Sequence, residues 1–443
     1  MRLLAIAAAL FCPALVLANG RPPLTNGVHF QPGDPRSLYV ASTFGLLVSH
    51  DDGCTFQWIC EQNIGYGGTF DPKYRIASDG TIYATTFSGL QVSHDGGCSF
   101  TTATADQPAG DPGRIAGIWI DAIDIGPTGE VWVATAESGK PNNIYRSTDN
   151  GLTFAPRGML SPAIWWKSIA IPATRAQRVY ATGYQVAGVA PDGGQLPPTT
   201  HFEITDDGGD HWTESPLAGV AFGVMPLVYA VGVDHQNPDV VFMTSVGAAP
   251  PSGDVLYRST DGGMTWTQAL ATTGTILDVA IASSGIMVAT LGGGVFQSTD
   301  GGASFAALAN PPQLACVGQR DDGKLFGCAA NWQPDYEAVA RSTTGASWDK
   351  VFRFVDLAGP LDCPAGTGQH DACAPQWPAL QQQFGSVGPT ACNAGPPPAD
   401  DAPASAKKSS GCCDAGGASP GELGAIGLLA LGCGARLRRR RAR

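Results

Sequence analysis

The sequence predicts an all-β chain folded as a seven-bladed β-propeller of four-stranded antiparallel blades. Two observations carry that expectation. The first is an octapeptide, "STDGGMTW" at Ser259 to Trp266, which returns as "SHDDGCTF", "SHDGGCSF", "STDNGLTF", "TDDGGDHW" and "STDGGASF". Its third position is Asp51, Asp95, Asp149, Asp207, Asp261 and Asp300 in turn, and a decayed seventh copy, "STTGASW", places Thr344 there. Successive copies lie 39 to 58 residues apart, the period of one propeller blade. The second observation is that every interval repeats the same series of short apolar runs broken by turn residues. With 58 Gly and 34 Pro against 14% charged residues, the chain suits short strands and tight turns better than charged helices.

The fifth unit shows the pattern. "LVYAVGVD" reads as an inner strand, "HQNPD" as a turn, "VVFMTS" and "GDVLYRS" as the second and third strands, and the octapeptide turn leads into the fourth, "TWTQAL". Apolar alternation is weak within the inner strands, as expected where stacked blades bury both faces. Each octapeptide residue has a structural task. The Asp accepts hydrogen bonds from N–H groups just ahead, the Ser or Thr two positions earlier adds another, and Gly permits a left-handed backbone. The terminal aromatic (Phe56, Phe100, Phe154, Trp212, Trp266, Phe305, Trp348) opens the outer strand.

The ends of the chain have different chemistry. "MRLLAIAAALFCPALVLANG" has one Arg, an apolar stretch and small residues at Val16 and Ala18, which reads as a secretory signal over 1–18. The propeller follows over 19–358 and a Cys-containing extension over 359–392. A Pro, Ala and Ser-rich linker spans 393–411, and a tail over 412–443 opens on Cys412 and Cys413 and ends in six arginines. Twelve cysteines fit an oxidising compartment. Cys316 and Cys328 lie six residues either side of Asp322 and are expected to bond across a hairpin, and Cys363 with Cys373 is expected to close a local loop. No pairing is read for Cys54, Cys60, Cys98 and Cys392. Formal net charge is -12, and the body is more acidic once the terminal arginines are set aside. Such a surface repels phosphate backbones, so nucleic acid is not an expected partner.

The octapeptide resembles the Asp-box, or bacterial neuraminidase repeat, across roughly Thr25 to Val355. That resemblance implies the propeller and places the box between third and fourth strands, away from the mouth. It does not choose a function, since sialidases, xyloglucanases, sortilin-type receptors and photosystem II assembly factors share it. The tail resembles the myxobacterial C-terminal sorting signal, a Gly-Cys element, a short apolar helix and terminal arginines. It implies retention at the cell surface or outer membrane, or secretion.

A sialidase-type site needs converging arginines, a Tyr and Glu pair and an Asp acid. "YRIA", Tyr74 to Ala77, resembles the sialidase Tyr-Arg-Ile-Pro but lacks the Pro and follows the first box. A glycoside hydrolase of another kind needs two opposed carboxylates flanking a cleft, for which the mouth offers Asp121, Glu137, Asp278 and Asp335 as candidates. The same loops collect Tyr66, Trp119, Trp165, Trp166, Tyr184 and Trp332, flat rings suited to sugar or protein surfaces. Trp119 is read as blade packing, and one of the consecutive pair Trp165 and Trp166 must point away from the core. The Gly and Pro-rich connection Tyr184 to Thr200 is read as a lip at the mouth. His50, His94 and His211 are read as turn residues, and no metal or cofactor is expected. The sequence therefore reads as an exported, monomeric module that binds an extracellular glycan or a surface protein through the propeller mouth. A glycoside hydrolase and an assembly or scaffold factor are the alternatives.

Overall fold

The computed structural model describes residues 22–389, apart from 159–160, 162, 190–193, 283–284, 293 and 333–334. The signal stretch 1–18, the tail with Cys412 and Cys413, and Cys392 lie outside the described residues.

Seven antiparallel sheets form the blades, with each blade's four strands in sequence order from inside to outside. The inner strands are Thr25–Phe30, Tyr74–Ile76, Ile120–Ile125, Ile164–Ala170, Val228–Val233, Ile276–Ala282 and Cys316–Gln319. Second strands such as Leu38–Ser42, Ile82–Thr86 and Val131–Thr135 are buried throughout because a neighbouring blade covers each face. The core is accordingly divided among the blade interfaces. One part packs Tyr180, Phe202, Val241 and Trp266 between blades four and five, and another packs Trp132, Ile144, Trp166 and Val179 between blades three and four.

The box turns share one geometry. In blade five Ser259 Oγ donates to Asp261 Oδ1 at 2.8 Å and accepts the Gly263 N–H at 2.8 Å, and Thr265 N and Oγ1 donate to the two Asp261 oxygens at 2.9 and 2.6 Å. Asp51, Asp95, Asp149, Asp207 and Asp300 each accept from their own Ser or Thr at 2.7 to 2.8 Å. In blade four His211 replaces the box Thr, and its Nδ1 lies 2.7 Å from Asp207 Oδ2. The fifth box position requires glycine: Gly302 has φ +82°, and a Cβ there would lie 2.5 Å from the Phe242 ring. The decayed copy keeps the Gly345 N–H bond to Ser342 Oγ at 2.8 Å.

Among the described residues no strand is exchanged between the first and last blades. The ring closes by packing, with Phe30 against Phe326 at 5.6 Å and Thr25 Oγ1 donating to Ala338 O at 2.8 Å. The extension completes the closure. Gly359–Pro360 adds a fifth, parallel strand to blade one beside Gln57–Ile59, and the helix Trp377–Phe384 brings Phe384 onto Phe44 and Phe354 at 5.0 and 5.1 Å. Disulfides Cys60–Cys373 and Cys98–Cys363 fasten it to blades one and two. The expected Cys363–Cys373 loop is therefore corrected. The extension lies along the propeller wall, where each of these cysteines meets a thiol from a distant part of the chain. Cys316 is bonded to Cys328, its direct cross-strand neighbour, and Cys54 is also in a disulfide.

Candidate functional site

The antiparallel order places the second-to-third hairpins and fourth-to-first connections at one end of the propeller, opposite the box turns. Around the axis near that mouth lies a cavity of about 330 Å³, lined by inner strands of blades two to six, including Lys73, Arg75, Lys167, Tyr229 and Asp278. Its charges are largely paired. Lys73 Nζ lies 3.2 Å from Asp121 Oδ1, Lys167 Nζ holds Asp121 Oδ2, and Arg75 Nε lies 2.9 Å from Asp124 Oδ1. Burial pushes Tyr229 up to about 12, with Asp121 and Asp254 adding to the effect. Arg75 is the arginine among the lining residues, so the three-arginine carboxylate grip of a sialidase is not assembled in this cavity.

The four candidate acids are held in separate structural roles. Asp121 is buried and bridges Lys73 and Lys167. Glu137 Oε2 accepts the Trp119 backbone N–H at 3.1 Å, and its own N–H donates to Asn142 Oδ1 at 2.7 Å. Asp335 Oδ2 accepts the Gln313 N–H at 2.8 Å. Asp278 is the candidate that lines the axial cavity. It accepts N–H groups of Val279 and Val317, both at 2.9 Å. Burial raises its carboxyl above the usual range, against the opposing pull of those two bonds and of Arg75.

Beside the cavity the structure assembles a cluster of rings from blades two, three and four, a triangle of Phe70, Phe87 and Trp119 that Trp165 extends into a short ring row. Phe87 lies 4.6 Å from Phe70 and 4.9 Å from Trp119, Phe70 lies 6.0 Å from Trp119, and Trp119 lies 6.2 Å from Trp165. Lys167 Nζ sits 4.8 Å from the Trp119 ring centre and links the row to the ion pairs of the axis. Phe87 is 53% exposed, while Phe70, Trp119 and Trp165 are partly covered. At the Phe87 end a second cavity of about 340 Å³ is lined by Gln62, Tyr66, Thr86 and Phe87.

The structure sorts the predicted rings. Trp165 joins the row, and Trp119, read as packing, stands at its centre. Trp166 is corrected as a contact residue: alternation along Ile164–Ala170 turns it into the interface of blades three and four, where it is 1% exposed. Tyr184 is corrected likewise, being buried in the second strand with Trp165 and Thr200 as its cross-strand neighbours. Tyr66 is half-buried at the second cavity, and its hydroxyl donates to Ser42 O at 3.4 Å. Trp332 is exposed on blade seven, away from the row.

Phe70 and Phe87 were not among the predicted ligand contacts. Phe87 occupies the hairpin "TTFSG", the counterpart of "STFG" in blade one, where Phe44 lies under the extension. Comparing those hairpins points to a ring at each site but not to which one stays uncovered. A further cluster escaped spacing rules that look for paired histidines or cysteines: His201, Glu203 and Glu214 offer ligand atoms within 4.8 Å of one another.

The BNR/Asp-box repeat family matches residues 257–268. Xyloglucanase Xgh74A of Acetivibrio thermocellus is 27% identical over 259 residues, covering 53% of this chain and 24% of that enzyme. A xyloglucanase of Hypocrea jecorina is 28% identical over 261 residues, covering 49% of this chain and 30% of that enzyme. The match thus spans less than a third of either enzyme's length. Among solved structures, the GH74 xyloglucanase from Xanthomonas campestris aligns with a TM-score of 0.48 and 15% identity, covering 77% of this chain and 61% of that one.

Proposed function

We propose that this propeller is a carbohydrate-binding module that takes a β-linked glucan along the ring row of Phe87, Phe70, Trp119 and Trp165. The row is the observation that carries the proposal. Its rings pack on one another at inclinations of 45 to 87°, and with Phe87 exposed they present an apolar aromatic surface of the kind on which sugar faces stack. The two relatives named as xyloglucanases support a glucan as the ligand class. Glu137 acts as a positioning residue, fixing the backbone that carries Trp119.

Hydrolysis is the second reading. It is favoured by Asp278, an acid facing the axial cavity with its carboxyl raised by burial. Affinity electrophoresis of the purified protein through gels containing xyloglucan, mixed-linkage glucan or cellulose derivatives, combined with a reducing-end assay, separates the readings. Retardation without new reducing ends, lost in Trp119→Ala, is expected. New reducing ends abolished by Asp278→Asn would establish the hydrolase. Capture of a defined surface protein, with no polysaccharide retained, would establish the scaffold alternative.

The proposal includes export and retention at the cell surface. The apolar stretch Leu3 to Leu17, the arginine-rich tail and the disulfides of the propeller support it. Fractionation of the producing cell tests it, and a reduced protein in the cytoplasm would overturn it.

A further inference from the structure

The sheet of blade four carries a second constellation, separate from the ring row, midway along its third strand and at its fourth. His201 and Glu203 alternate along the third strand, Thr199–Thr205, with Phe202 and Ile204, which pack between blades four and five. Both therefore project from the opposite face of the sheet. Glu214, on the fourth strand Thr213–Glu214, is the cross-strand partner of Glu203. A cross-strand carboxylate pair of like charge is unfavourable unless something positive joins it.

Two observations point to a ligand. One imidazole nitrogen and one oxygen from each carboxylate lie within 4.8 Å of one another. Independently, Glu203 is 3% exposed, yet among the described residues it accepts no hydrogen bond and has no lysine or arginine partner. A cation held between Glu203 and Glu214 relieves both the burial of the one and its repulsion by the other. The histidine is already oriented: His201 Nδ1 lies 2.9 Å from Glu214 Oε1, while its Nε2 lies 3.3 Å from Thr199 Oγ1. Nδ1–H donates to Glu214 as it stands, and a cation that takes the place of that proton leaves Nε2 as the donor to Thr199 Oγ1.

We propose that His201, Glu203 and Glu214 form a binding site for a divalent transition-metal cation of the zinc class. One nitrogen and two carboxylate oxygens suit such an ion better than calcium, which takes six to eight oxygens. Bonds of about 2.1 Å in tetrahedral geometry need donor atoms about 3.4 Å apart. Glu214 is an exposed residue on a two-residue strand, so its side chain supplies the remaining closure. Water completes the sphere. The site joins the third strand of blade four, at the end of the long 186–198 connection, to the outer edge of the blade.

The test is calorimetric titration of chelator-treated, full-length protein with zinc chloride, repeated with calcium chloride and with cobalt(II), whose visible spectrum reports coordination. Wild type is expected to bind one zinc per chain saturably, with cobalt giving a visible band that zinc displaces. Glu203→Gln and His201→Gln should each weaken binding at least tenfold, while Trp119→Ala leaves it unchanged. His201→Gln is the second variant should the buried Glu203→Gln fold poorly. Absence of saturable zinc binding, equal affinity in both variants, or calcium binding that zinc does not displace would overturn the assignment.

Discussion

Asp121 stands where a hydrolase would place an acid, yet the structure gives it the work of a buried counterion. Replacing it by Asn removes the charge that faces two ammonium groups. Its side chain is 7% exposed and that of Lys167 13% exposed, so this pair is buried, whereas Lys73 at 43% can turn towards water. Removing one partner of a buried pair costs about 3 to 5 kcal/mol. The exposed Lys73 share is small, about 0 to 1 kcal/mol. Lys167 keeps the Trp119 ring at 4.8 Å, which offsets about 1 kcal/mol. Asp121→Asn is therefore expected to cost about 2 to 5 kcal/mol, read as a lowered urea midpoint by tryptophan fluorescence. Adding Lys167→Met should recover much of the loss, giving a coupling energy of about 2 kcal/mol in a double-mutant cycle. A single mutant within about 0.5 kcal/mol of wild type, or strictly additive losses, would refute the counterion role.

Three other perturbations probe the frame. With Cys98–Cys363 intact, the Cys60–Cys373 bond closes about 50 further residues, so changing both Cys60 and Cys373 to Ser should cost up to about 4 kcal/mol under non-reducing conditions, measured as a denaturation midpoint. Gly302→Ala introduces a Cβ 2.5 Å from the Phe242 ring at a positive φ, and should lose about 2 kcal/mol in the same assay. Glu337, buried with Oε2 lacking a hydrogen-bond partner, has its carboxyl raised to about 7 chiefly by burial. The folded state then holds a proton that the unfolded state releases near 4.5, so this group's effect is a fall in stability from about pH 4.5 to 7 and none beyond. Glu337→Gln should flatten that slope and raise the melting temperature at pH 8. Asp261 behaves oppositely. Burial alone would raise it, but bonds from Thr265 and Ser259 outweigh that and hold it at about 2, so its contribution is complete above 3.8 and is lost as pH falls towards 2.

The blade plan was legible because each octapeptide contains its own hydrogen-bond partners within a few residues. Cys316 and Cys328 were legible for the same reason, since a symmetric hairpin brings them together. Cys60 and Cys373 are 313 residues apart, and their meeting depends on how the extension docks along blade one, which no local pattern encodes. Trp165 and Trp166 show a related limit: alternation says that they diverge, but the neighbouring blades decide which is covered. The ring row needs Phe87, Trp119 and Trp165 from three blades, and the salt bridges of Asp121 reach lysines 46 and 48 residues away. Those juxtapositions follow from the radius and stagger of the ring. His201 and Glu203 were missed because a period-two pair on a strand needs the opposing Glu214 to become a cluster.

The most direct measurement is calorimetric titration of the purified protein with a xyloglucan oligosaccharide, with product analysis of the cell contents afterwards. The ring-row account predicts saturable binding, an intact oligosaccharide, and at least tenfold weaker affinity in both Trp119→Ala and Trp165→Ala. Binding undiminished in both variants, or an oligosaccharide recovered in pieces, would contradict it.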